Sequence, residues 1–149
     1  PTKVNFILSM FSFLNSSAIL IKDKDLEDYI YIAGQVDNEK KVELLKASDI
    51  FILATYAEGQ PIALLEGIAS GLPVISTNVG SIPEVIKQKN GFIVSAGEIF
   101  DIKSTILKLA NSSSLRNDMS KHNYLEAKEK YSLTRVFHEI EESYENTMI

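Results

Sequence analysis

The chain has 149 residues, of which 45% are hydrophobic and 23% charged, a composition that excludes collagen-like, coiled-coil and disordered classes. The formal net charge of −5 gives the protein little electrostatic attraction to nucleic acid or to an anionic membrane. The sequence contains no cysteine, which excludes a disulfide framework, a thiolate metal site and a cysteine nucleophile.

The first third of the chain alternates short apolar runs with segments of helical periodicity. The apolar run at 4–8 predicts a buried strand, and a helix is predicted to follow it up to the charged run at 22–28. The β-branched and aromatic run at 29–34 predicts a second strand. Asp37 or Asn38 can then cap the next helix, because both side chains accept hydrogen bonds from first-turn amides.

The middle of the chain predicts three further strands, at 49–55, 72–77 and 91–94. The apolar centre of the first, at 49–55, is nearly continuous, which is typical of a strand buried on both faces of a parallel sheet. Between the first and the second of these strands, Pro61 suits the first turn of a helix that Gly71 ends.

The remaining helices are predicted at 82–87, 99–110, 114–130 and 134–147. Strands separated by helices imply right-handed crossovers, so the predicted fold class is α/β, with a parallel sheet flanked by helices. Ligands of such sheets bind at the carboxyl ends of the strands. The loops that follow the strands are therefore the first place to look for a site.

The loop and helix after the strand at 49–55 carry the best candidate for a phosphate site. Gly59 permits a tight loop there, because a residue without a Cβ adopts backbone geometries that others resist. The helix opened by Pro61 is expected to present unpaired amides from Ile62, Ala63 and Leu64 at its N-terminus. Together with the helix dipole, such amides favour a bound phosphate.

Two glutamates bracket this helix N-terminus. Glu66 lies about 7.5 Å along the helix axis and can accept hydrogen bonds from the vicinal hydroxyls of a ribose. Glu58 precedes the helix and can accept hydrogen bonds from another polyol. A phosphate site with a carboxylate on each side predicts a nucleotide sugar. The chain has 13 glutamates, so the spacing alone also fits two solvent-exposed side chains.

The same segment resembles the donor-binding half of the retaining group 1, or family 4, glycosyltransferases of the GT-B fold. Their hallmark is two glutamates separated by seven residues and followed by an Ala-x-Gly-x-Pro-Val-Ile run, which here corresponds to Glu58, Glu66 and 69–75. Further segments that resemble the family are 31–36, 48–53, 77–86, 90–94 and 131–144. The resemblance covers roughly 1–146 and implies a Rossmann-like parallel sheet, one half of a GT-B architecture.

The resemblance implies a role for each matching position. Glu66 would bind the ribose hydroxyls, and Glu58 would act as the catalytic carboxylate that contacts the transferred sugar and stabilises charge near its anomeric carbon. The positions that would hold the diphosphate or sugar hydroxyls are Gly59, Gln60, Ile62 and Ala63. The positions that would edge the base are Gly34, Gln35 and Val36.

The resemblance also implies the ligands and partners. The donor would be a UDP- or GDP-sugar, and neither a cofactor nor a metal is expected, because family members usually need no bound metal. The acceptor would be a glycan or a lipid-linked acceptor, as in surface-polysaccharide assembly in the cytoplasm or at the inner face of the membrane. Nucleic acid is not an expected partner.

Residues 1–149 are expected to form one donor-binding domain without the family's first strand–helix unit, whose Arg and Lys neutralise the diphosphate, and without its N-terminal acceptor domain. Contact with a membrane would come through those parts. Ser9, Met10 and Phe11 stand where the family has Gly-Asp-Gly, and Ser81 stands where it has a second glycine. Two alternatives stay open: a nucleotide-sugar epimerase of the same fold, and a non-catalytic nucleotide-sugar-binding or scaffold module.

Overall fold

The structure is a computed structural model that describes residues 5–8 and 14–147. The start of the first predicted strand and the departures at Ser9, Met10 and Phe11 lie outside the described residues. In chain order the described elements are β1 (Phe6–Leu8), α1 (Leu14–Asp23), α2 (Asn38–Lys46), β2 (Ile50–Leu53), α3 (Ile62–Ala69), β3 (Val74–Thr77), α4 (Ile82–Val85), β4 (Gly91–Val94), α5 (Ile99–Ala110), α6 (Ser113–Lys130) and α7 (Leu133–Thr147).

The four described strands form one sheet in the order β1-β2-β3-β4. All neighbouring strands are parallel: Phe51 lies opposite Val74, and Ile75 lies opposite Phe92. Each pair of neighbouring strands is linked by a segment that contains a helix. The predicted α/β class with a Rossmann-like parallel sheet is therefore confirmed.

Helices cover both faces of this sheet, which explains why β2 and β3 are buried along their full length. Phe51 and Leu53 pack on one face, in a core cluster completed by Leu45, Leu64, Ile68, Leu72, Val74, Ile82, Ile86 and Ala127. Ile50 and Ile52 point to the other face and pack with Ile75, Leu109 and Met119. Successive residues of a strand face opposite sides, so a strand with helices on both sides reads as continuously apolar.

Helix α3 lies very close to the sheet because Gly67 has no side chain. Gly67 is buried, and a Cβ at this position would lie 2.7 Å from Cγ of Phe51. Any larger residue would push α3 away from β2. This close approach fixes α3, and with it Glu66, relative to the carboxyl end of β2.

Buried asparagines hold α6 against the amino edge of the sheet. The Asn123 side-chain amide donates to the carbonyl oxygens of Leu72, at 2.7 Å, and Asn90, at 2.9 Å. The Asn90 side-chain amide donates to the Asn123 side-chain oxygen, at 2.9 Å, and to the Glu126 carboxylate. Leu72 and Asn90 precede β3 and β4, so this network lies at the end of the sheet opposite the loops that follow the strands.

The predicted strand at 29–34 is wrong. The amides of Tyr29 and Ile30 both donate to the carbonyl oxygen of Leu26, which forms a turn, and no strand is found in this segment. Tyr29 is 84% exposed and Tyr31 77% exposed. A run of strand-forming residues becomes a strand only where a neighbouring strand and a buried face are available, and the described chain offers this run neither.

Two helix starts are defined more closely than the sequence allowed. Asp37, rather than Asn38, caps α2: its side chain accepts a hydrogen bond of 2.8 Å from the Lys40 amide. Pro61 lies immediately before α3 instead of within its first turn. As expected, Gly71 follows the end of α3 with a left-handed φ of 74°, which only glycine adopts easily.

Candidate functional site

The candidate site lies at the carboxyl ends of β2 and β3, where two threonines join the strands. The Thr77 hydroxyl donates to the Thr55 carbonyl oxygen at 2.6 Å and accepts from the Thr55 amide at 3.2 Å. The Thr55 hydroxyl in turn donates to the Ala57 carbonyl oxygen at 2.8 Å. These bonds fix the direction in which the chain leaves β2 and enters the loop that contains Glu58.

The loop after β3 supports this Glu58 loop from one side. The Ser81 hydroxyl donates a hydrogen bond of 2.7 Å to the Gly59 carbonyl oxygen. Gly80 has a left-handed φ of 52°, and a Cβ there would lie only 1.7 Å from the Glu58 carbonyl oxygen. The backbone of Glu58 and Gly59 is therefore held against the β3–α4 loop by a contact that only glycine at position 80 allows.

The N-terminus of α3 has fewer free amides than the sequence predicts. The Ile62 amide donates to the Gln60 carbonyl oxygen at 2.8 Å, and the Leu64 amide donates to the Pro61 carbonyl oxygen at 3.0 Å. The expectation that these two amides are unpaired is wrong. The first is bonded in a tight turn, and the second makes a hydrogen bond to the residue three positions before it. Ala63 keeps a backbone amide without a hydrogen bond to any described residue, as expected.

The N-terminus of α3 is nevertheless exposed to solvent. Gly59 and Gln60 are exposed, and their amides also make no hydrogen bond to another described residue. Ile62 is 63% exposed. The structure thus brings the amides of Gly59, Gln60 and Ala63 to one accessible helix end, which is the kind of place where proteins bind phosphate.

The two glutamates differ in their surroundings. The Glu58 side chain is half-buried and makes no hydrogen bond or ion pair with any residue that the structure describes. Glu66 is half-buried on α3, and its Oε1 lies 2.6 Å from Nζ of Lys41 on α2. Glu58 is therefore available to a ligand, whereas Glu66 already has one cationic partner.

Lys41 is the residue of this site that the sequence did not reveal. It lies in the first half of α2 and is separated from Glu66 by 25 positions. A lysine on a polar helix gives no local signal of a contact across the fold. Only the packing of α2 beside α3 brings the two side chains together.

The predicted base-binding residues Gly34, Gln35 and Val36 lie just before α2. Gly34 has a left-handed φ of 66°, Gly34 and Gln35 are exposed, and Val36 is half-buried. No hydrogen bond links the three to α3 in the described part of the chain. Their connection to the rest of the site runs through α2, which begins two residues later and carries Lys41.

Metal-binding clusters and membrane-spanning helices are both absent from residues 5–8 and 14–147. No group of three or more histidine, aspartate and glutamate side chains there is arranged to hold a metal ion. Nor does any helix of this part combine the length and apolar character needed to cross a membrane.

The fold and the site define a parallel α/β domain with an open helix N-terminus after β2, with Glu58 before this helix and Glu66 within it. The family model described as "Glycosyl transferases group 1" matches residues 16–126, and the chain belongs to this family. The resemblance to group 1 glycosyltransferases, inferred from the glutamate pair together with the strand, helix and Ala-x-Gly-x-Pro-Val-Ile run around it, is thereby confirmed.

Curated relatives are enzymes of this family. The chain is 29% identical over 126 residues to N-acetyl-alpha-D-glucosaminyl L-malate synthase of Bacillus anthracis, an alignment that covers 84% of this chain and 32% of the relative. It is 31% identical over 135 residues to the capsular polysaccharide biosynthesis glycosyltransferase CapM of Staphylococcus aureus, covering 84% and 34%. The chain thus spans about a third of the length of these relatives.

Solved structures are similar over most of the chain. The C-terminal domain of the group 1 glycosyltransferase LpcC from Francisella tularensis matches with a TM-score of 0.72 and 28% identity, over 81% of this chain and 63% of that one. The Anabaena protein HepE in complex with UDP matches with a TM-score of 0.79 and 19% identity, over 98% and 42%. The second match bears on the fold alone.

Proposed function

We propose that this chain is the nucleotide-sugar-binding domain of a retaining glycosyltransferase that uses a UDP- or GDP-sugar as donor. The observation that supports this most is the solvent-exposed N-terminus of α3, where backbone amides are free to bind a ligand. Glu58 precedes these amides in the sequence, and Glu66 follows them. In an acidic chain, backbone amides and the helix dipole are well suited to attract a diphosphate.

The diphosphate of the donor binds at this helix end. The amides of Gly59, Gln60 and Ala63 donate to its oxygens, since they have no hydrogen bond within the described chain. Ile62 contributes less than the sequence suggests, because its amide already donates to Gln60. The loop that presents these amides is held by Ser81 and Gly80, so little ordering is needed when the ligand binds.

Each of the two carboxylates contacts one of the two sugars of the donor. Glu66 accepts hydrogen bonds from the ribose hydroxyls, for which its Oε2 is free. Glu58 contacts the transferred sugar and stabilises the positive charge that develops at the anomeric carbon during transfer. Gly34, Gln35 and Val36 edge the base. No metal or cofactor is part of this proposal.

The complete enzyme transfers the sugar to a glycan or a lipid-linked acceptor, which is bound by parts of the protein beyond this domain. The curated relatives support this reaction class, since CapM is named for capsular polysaccharide biosynthesis. The HepE complex contains UDP in a protein of the same fold, which fits the proposed donor. We further propose that the acceptor domain and the cations that assist the leaving diphosphate lie outside residues 1–149.

A nucleotide titration of the chain tests the proposal. We expect UDP or GDP to bind with weak, saturable affinity and Glu66→Ala to reduce that affinity at least about fivefold, because a charge-assisted hydrogen bond is lost. Glu129→Ala serves as the matched control, because Glu129 is an exposed glutamate on α6. Equal affinity of the wild type and Glu66→Ala for the nucleotide would contradict the placement of the ribose.

A further inference from the structure

The contact between Lys41 and Glu66 differs from the other ion pairs of the described chain. Its two residues lie on different helices, α2 and α3, whereas each of the others joins residues three or four positions apart in one helix. Its Nζ–Oε1 distance of 2.6 Å equals that of the Lys130–Glu126 pair, and its two side chains are 36% and 34% exposed. A short, partly shielded pair between two helices restrains its carboxylate more than a pair on one exposed helix face does.

This pair leaves half of the carboxylate available. Lys41 occupies Oε1 of Glu66, while Oε2 makes no hydrogen bond with a described residue. The terminal torsion of a glutamate is broad, so an unrestrained carboxylate samples many orientations. With Oε1 held, the direction of Oε2 is fixed before a ligand arrives, and less freedom is lost on binding.

The pair also changes the charge that a ligand meets. A nucleoside diphosphate is an anion, and an unpaired Glu66 would repel it. The ammonium group of Lys41 lies against the carboxylate and cancels most of this repulsion, which is long-ranged compared with a hydrogen bond. Glu66 can therefore accept a hydroxyl hydrogen bond without opposing the phosphate beside it.

We propose that Lys41 is a positioning residue for the nucleotide: it orients the Glu66 carboxylate toward the ribose hydroxyls and compensates its charge. This inference rests on the proposed function. A lysine that only braced α2 against α3 would affect stability and would leave the preference for ribose unchanged. The preference of the protein for a ribonucleotide over its 2′-deoxy form therefore separates the two roles.

The test measures dissociation constants for UDP and 2′-deoxy-UDP, or for GDP and 2′-deoxy-GDP if GDP binds more tightly. The proteins are the wild type, Glu66→Ala, Lys41→Met, Lys41→Arg and the matched control Lys40→Met. The lysine of the control pairs with Glu43 on the exposed side of the same helix. We expect Lys41→Met to reduce the ribose preference about three- to tenfold, the range of one hydrogen bond. Lys41→Arg restores most of the preference, and Lys40→Met leaves it unchanged.

A double-mutant cycle shows whether Lys41 acts through Glu66. In a Glu66→Ala background, which removes the acceptor of Lys41, Lys41→Met is expected to have no further effect on the ribose preference. If Lys41→Met does not fold, as judged by its melting transition, Lys41→Gln takes its place in every comparison.

The outcomes are distinguishable. If Glu66→Ala abolishes the ribose preference and Lys41→Met leaves it intact, the role of Lys41 is overturned and the proposed function stands. If the wild type binds neither nucleotide, or binds the ribo and deoxy forms equally, both are overturned.

Discussion

The Ser81 hydroxyl donates a hydrogen bond of 2.7 Å to the carbonyl oxygen of Gly59 and so ties the loop after β3 to the loop that carries Glu58. The family that the sequence resembles has a glycine where this chain has Ser81. The departure therefore gives the site a side-chain support that a glycine could not supply. It makes the conformation of the Glu58 loop depend on residues that follow the neighbouring strand.

Ser81→Ala is expected to lower the free energy of unfolding by about 0.5–1.5 kcal/mol, the net contribution of one hydrogen bond. It should also weaken nucleotide binding, because the Glu58–Gly59 loop loses its support. Urea unfolding and a nucleotide titration measure the two effects. Ser104→Ala is the control, since its hydroxyl bonds within α5. Unchanged binding in Ser81→Ala would show that the loop holds its conformation without this bond.

Gly80→Ala is expected to be more damaging than Ser81→Ala. The new Cβ would lie 1.7 Å from the Glu58 carbonyl oxygen and would also force a left-handed φ of 52° on a residue with a side chain. We expect a loss of stability of more than about 2 kcal/mol, because the backbone strain alone accounts for about 1–2 kcal/mol.

Gly97→Ala separates the two contributions to the Gly80 effect. Gly97 has a similar left-handed φ of 86°, but a Cβ there would lie an ordinary 3.5 Å from the Tyr56 hydroxyl. Its loss of stability should therefore reflect backbone strain alone. Equal losses in Gly80→Ala and Gly97→Ala would contradict the close contact with Glu58.

Gly67→Ala is expected to destabilise the domain by about 1–3 kcal/mol through overpacking against Phe51. The ring atom that the new Cβ meets is close to the backbone and cannot move away freely. Removing this ring atom in the double variant Gly67→Ala/Phe51→Ala should recover part of the loss relative to Phe51→Ala alone. Urea unfolding of the four proteins gives this coupling, and additive losses would exclude a direct clash.

Stability is expected to fall in acid because of Glu126. Burial raises the pKa of Glu126, but hydrogen bonds from Lys130 and Asn90, with the nearby charges of Lys130 and His122, outweigh burial and hold the pKa below its ordinary value of 4.5. A carboxylate with a lowered pKa in the folded state stabilises the protein above the unfolded pKa. That contribution is lost as the pH falls through the folded pKa.

Urea unfolding between pH 7 and pH 3 measures this dependence. Glu126→Gln should be less stable than the wild type at pH 7, by about 1.5–3 kcal/mol for a hydrogen bond to a charged group, and the difference should shrink below about pH 4.5. Glu129→Gln is the exposed control. A difference between the wild type and Glu126→Gln that does not change with pH would exclude the carboxylate of Glu126 as its cause.

The sequence predicted those parts of the fold that depend on local pattern and two-sided burial. The strands around Phe51 and Ile75 follow from continuous apolar runs, and α3 follows from its proline start and glycine end. The strand predicted around Tyr31 is wrong, because strand-forming residues form a strand only beside a neighbouring strand. No local sequence pattern shows whether such a neighbour is present. Local pattern also could not predict the partner of Lys41, because the fold brings it to Glu66 from another helix. It could not predict the hydrogen bond of the Ile62 amide either, because a turn at Gln60 forms it.

Site-resolved amide chemical shifts, followed during a nucleotide titration, locate the donor site. On addition of UDP or GDP, we expect the largest shifts at the backbone amides of Gly59, Gln60 and Ala63, with smaller changes at Lys41 and Glu66. The amides of the buried Asn90–Asn123 network, at the opposite edge of the sheet, should not move. If the amides at the N-terminus of α3 do not shift and the changes occur in other parts of the chain, the proposed donor site is contradicted.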